Sequence, residues 1–185
     1  MLKFYIVEFC RFYILTVLSL GVYGKLRSFT DFRHGVEEIL NLSQGAAQSR
    51  IAKSISGTVI ITEAVTALLT LAGGNFSTIG IGGATLLVIF FTVVIARIIF
   101  QKRLIHCNCF GVSVHAITWL DLVRNMIILS ACSVFLVITY RHQEYLTIQT
   151  SMLNNSILFC LAIILSNYTM NLKELQFLMR RPSIG

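Results

Sequence analysis

The 185-residue chain is 56% hydrophobic and only 12% charged, with a net charge of +7 and a mean hydropathy of +0.78. A soluble domain carries about a quarter charged residues, so this composition excludes an ordinary soluble globule and points to one transmembrane domain over residues 1–185. The surplus of Lys and Arg sits at the ends of apolar runs, where a bilayer interface selects it, so the expected partner is lipid and not nucleic acid.

Five segments are long enough to span, each near the roughly 20 residues that a helix needs to cross about 30 Å of hydrocarbon. The first covers about residues 4–24. Lys3 ahead of it imitates a signal peptide, but Glu8 and Arg11 interrupt the apolar run, which predicts a retained helix. In the following DFRHGVEEILNLSQ, residues Phe32, Val36, Ile39 and Leu40 fall on one helical face. That spacing predicts a short helix lying in the interface, with an ordinary connecting loop as the plainer reading.

The second span, 54–73, carries Glu63 near its middle. The GGNF turn after it is so short that the third span, 77–100, must run antiparallel beside it. Gly80 and Ala84 form a small-xxx-small pair in that span, suited to close helix approach. The fourth and fifth spans are 120–140 and 152–170. The expected fold is an all-α integral membrane protein, a four- to five-helix transmembrane bundle with a short interfacial helix between helices 1 and 2.

Of the five cysteines, Cys10, Cys132 and Cys160 stand singly in apolar runs, where Cys behaves as a small hydrophobe. Cys107 and Cys109 are different: one residue apart, outside the apolar runs, with Lys102, Arg103 and His106 upstream. Two such cysteines close only a tight, strained disulfide ring, and strain makes the bond accept electrons readily. Positive charge nearby favours the thiolate, and Gly111 after Phe110 lets the backbone turn closely. A metal reading competes, with two thiolates beside His106 and His115, but adjacent His106 and Cys107 fit one ion poorly. Thiol exchange ranks above it, so no metal ligand is assigned. A quinone or a soft metal such as Cu(I) are the cofactor classes left open.

Glu63 costs about 2.5–3.5 kcal/mol in mid-bilayer unless it faces protein, so it must find a partner, for which Arg97 and Arg124 are candidates. A proton relay or substrate anchor is the functional reading; a buried ion pair that fixes helix packing is the preferred one. Trp119 suits the interface, Asp121 suits a helix N-terminus, and Asp121 and Arg124 are spaced to pair on one face. GIGG lies inside an apolar helix without the Lys-Ser/Thr of a phosphate loop, so no nucleotide site is expected.

These pieces occur in an order that resembles the MauE family of methylamine-utilisation membrane proteins, within a wider DoxX-like group. Gly24-Lys25-Leu26 with Phe32, Thr62-Glu63-Ala64, Cys107-Asn108-Cys109-Phe110-Gly111, and Trp119 with Arg124-Asn125 carry the likeness, over residues 20–130. The resemblance implies an accessory role in maturation of a disulfide-rich exported protein, the methylamine dehydrogenase small subunit, beside a thioredoxin-like partner. It makes Cys107 and Cys109 the redox pair, possible components of a thiol–disulfide oxidoreductase. Glu63, Arg97, His106, Phe110, Gly111, Trp119, Arg124 and Asn125 would support them. The alternatives are a copper-binding membrane protein on the same cysteines, and a transporter or scaffold in which they are incidental.

The expected location is the cell (inner or plasma) membrane, crossed several times. With five spans, the loops 25–53 and 97–121 share a side that holds most of the Lys and Arg, which by the positive-inside rule is cytoplasmic. Disulfides are usually reduced or transient there, and an oxidising pair needs an oxidising compartment. The second consideration is preferred, placing Cys107 and Cys109 on the extracytoplasmic side against the charge count.

Overall fold

Six helices, α1 (Leu2–Arg27), α2 (Phe29–Ile39), α3 (Ala46–Ala72), α4 (Gly74–Phe100), α5 (Trp119–Arg141) and α6 (Met152–Met170), make up the computed structural model, which describes residues 2–40, 46–101, 118–141 and 152–171. No strand occurs among the described residues. Four helices, Leu2–Arg27, Ser49–Ala72, Gly74–Phe100 and Trp119–Arg141, are long and apolar enough to cross a membrane. The chain is a multi-pass membrane protein, as its composition predicts.

Helices in lipid need no polar outer face, because every backbone group is satisfied within the helix and the surroundings are as apolar as the core. The large exposed residues have that character. Ile61, Val65 and Leu68 line one outward stripe of α3, and Leu86, Phe90 and Val93 one of α4. Inward, Val7, Cys10, Ile14, Val17 and Leu18 of α1 recur at helical spacing and meet Ile81, Ala84 and Val88 of α4 and Ile128, Cys132 and Phe135 of α5. Helix α1 is the hub, packed on α3, α5 and α6 and touching α4 and α2.

The α3–α4 connection is a single residue, Gly73, with φ +76°, followed by Gly74 at φ +54°. Both lie where a Cβ is strained, which is why a double glycine makes this turn. The hairpin that follows is antiparallel, as its length requires, and its two helices pack closely. A Cβ on Gly80 would come within 2.6 Å of the Thr70 backbone nitrogen, so α4 touches the backbone of α3 there. Ala84, the second member of the small-residue pair, is fully buried.

One boundary differs markedly from the sequence reading. Helix α3 begins eight residues before the expected start at 54, because no Gly or Pro interrupts residues 46–53 and a helix is not obliged to stop at the edge of the hydrocarbon. Helix α6 has the expected bounds, but its described apolar stretch, Asn155–Met170, is shorter than the four spans. The segment after α1 is a helix and not a loop: α2 follows a one-residue break at Ser28 and seats Phe32, 2% exposed, in the bundle against α1 and α3.

Candidate functional site

The last turns of α1 deliver a lysine into the bundle. Lys25 has no exposed surface, and its Nζ donates to both carboxylate oxygens of Glu63 on α3, at 2.6 and 2.7 Å. Glu63 is itself 2% exposed. Two rings flank the ammonium, Phe91 of α4 at 5.3 Å from ring centroid to nitrogen and Phe32 of α2 at 5.7 Å, within the range of cation–π attraction. Four helices therefore converge on one charge pair. Removing water from both ions is costly, and the two-oxygen geometry with aromatic faces around the cation offsets that cost.

Below Glu63, toward Ile14, Leu18, Ala84, Val88 and Ile128, lies an enclosed cavity of about 10 Å³, room for about one water molecule. Among the described residues, Glu63 is the one polar side chain on its wall.

A second polar layer adjoins the pair at the start of α5. Asp121 accepts from the Thr118 backbone N–H at 2.8 Å, fixing the helix entry, and pairs with Arg124 at 3.3 Å. Both are nearly buried, and Arg124 lies within Coulombic range of Lys25 and of Tyr13. Asn125 has no exposed surface and donates from Nδ2 to Thr92 Oγ1 at 3.3 Å, tying α5 to α4. The Tyr13 hydroxyl donates to Thr169 Oγ1 at 3.2 Å and brings α6 to the same region.

The residues expected to matter are therefore distributed as follows. Glu63, Arg124 and Asn125 gather in one half of the bundle. Arg97 and Trp119 are exposed on the outer surface. His106, Cys107, Cys109, Phe110 and Gly111, with Lys102, Arg103 and His115, lie outside the described residues. The segment that carries them leaves α4 at Gln101 and returns at Thr118. Gln101 is nine residues beyond Thr92, about 14 Å along the helix, and Thr118 is six before Arg124, about 9 Å. The polar layer thus stands between the bundle core and the anchor points of that segment.

One expectation is corrected. Glu63 pairs with Lys25, not with Arg97 or Arg124: Arg97 points outward from α4, and Arg124 is engaged by Asp121 on its own helix. Lys25 reads in sequence as one more interfacial cation beside Arg27. The available signal was its position directly after the first apolar run, two residues before Arg27, with an acid in the middle of the following span. Phe91 and Thr92 carried no sequence signal, being ordinary members of an apolar run.

Among the described residues no group of three or more His, Cys, Asp or Glu is placed to hold a metal ion. The described cysteines are free thiols, Cys10 and Cys132 buried and Cys160 exposed.

The family model described as "Methylamine utilisation protein MauE" matches residues 3–138. No curated protein and no solved structure matches the chain. The match takes in all four blocks noted in the sequence, and three of them (Lys25 with Phe32, Glu63, and Arg124-Asn125) meet in the polar layer.

Proposed function

We propose, from the premise that this chain belongs to the MauE family, that it is a membrane accessory protein of methylamine utilisation whose Cys107–Cys109 pair exchanges disulfides with a thioredoxin-like partner. The client is a disulfide-rich exported protein such as the methylamine dehydrogenase small subunit. The observation that carries the reading is the Cys-x-Cys motif in the segment that joins α4 to α5, two helices that the Asn125–Thr92 bond ties together.

In the oxidising direction a thiolate of the partner's dithiol attacks one sulfur of the Cys107–Cys109 disulfide, forming a mixed disulfide and releasing the other cysteine as thiolate. The partner's second thiol then displaces the first cysteine. The partner leaves as disulfide, and Cys107 and Cys109 are left reduced by two electrons and two protons. A membrane quinone, taking up those electrons and protons to become quinol, is the class of acceptor that restores the pair. The extracytoplasmic face is the side on which this chemistry runs.

The test is Cys107→Ser, Cys109→Ser and the double variant, expressed with a complete methylamine-utilisation gene set. The expected outcome is normal membrane insertion with loss of disulfide-bonded dehydrogenase small subunit and of growth on methylamine. In intact cells, a membrane-impermeant maleimide applied after reduction should label both cysteines. Full maturation in the double variant sinks the redox role, and labelling only after lysis sinks the placement. Stoichiometric copper in the wild type, lost in the cysteine variants, would replace exchange by soft-metal binding.

A further inference from the structure

We draw no further inference here: the strongest candidate, the water-sized cavity against Glu63 between α1, α3, α4 and α5, belongs to the Lys25–Glu63 site already described and, among the described residues, presents a ligand with no polar side chain besides Glu63 itself.

Discussion

Two glutamates lie within the spans of this protein, and each is held by a cation in a different way. Glu8 and Arg11 are neighbours on one face of α1, three residues apart and 3.3 Å from each other, with side chains 10% and 20% exposed. Glu63 and Lys25 are 38 residues apart, on different helices, at 2.6 Å and almost without exposure. The first pair forms as soon as α1 is helical and asks nothing of the rest of the chain. The second exists only when α1, α2, α3 and α4 are all assembled, since its cation also sits between Phe32 and Phe91. A local pair makes a charged span tolerable in lipid; a cross-helix pair makes the assembled bundle the one arrangement in which two charges are satisfied.

The largest effect should come from breaking the cross-helix pair on one side. Glu63→Gln or Lys25→Met leaves a buried charge uncompensated, and thermal unfolding in detergent should show a loss of about 3–5 kcal/mol. The double variant Lys25→Met/Glu63→Leu should recover most of it, because removing both charges removes the desolvation cost as well. If the double variant is as unstable as the singles, the residues matter for some reason other than charge pairing.

A smaller loss should follow from separating the helices that carry the pair. Gly80→Ala places a Cβ against the Thr70 backbone and should cost about 1–3 kcal/mol in the same measurement. The nearby Gly82→Ala, which meets nothing within 4 Å, should be neutral or slightly stabilising. Similar losses at both glycines would mean that α3 and α4 do not approach as closely as Gly80 requires.

The smallest effect is expected at the local pair. Glu8→Gln should cost less than Glu63→Gln, about 1 kcal/mol, because Arg11 is 20% exposed and keeps its contact with the Phe12 ring when the carboxylate is removed. A loss as large as that of Glu63→Gln would erase the contrast between the two regions.

Much of the architecture was legible because membrane helices announce themselves by length and composition. The spans at 4–24, 77–100 and 120–140 lie inside α1, α4 and α5, and the double glycine at 73–74 marked the hairpin. Asp121 and Arg124 pair as their spacing on one face of α5 predicts. The partner of Glu63 was not legible. Choosing among Lys25, Arg97 and Arg124 requires knowing how each helix is rotated about its axis, and in a helix that is apolar all round nothing in the pattern marks which side faces inward. The same ambiguity hid Phe91 and Thr92.

The amino-acid order alone determined that this is a helical membrane protein and roughly where its spans run, and it singled out Cys107 and Cys109 as the expected redox pair, because hydropathy, helix breakers and the spacing of cysteines act over short stretches of chain. Only the tertiary structure decided that Lys25 neutralises Glu63, that Asn125 reaches Thr92, and that Tyr13 meets Thr169. Those outcomes depend on the rotation and approach of helices far apart in sequence, set by packing at positions such as Gly80 and by the cost of leaving any charge or hydroxyl alone in an apolar surrounding.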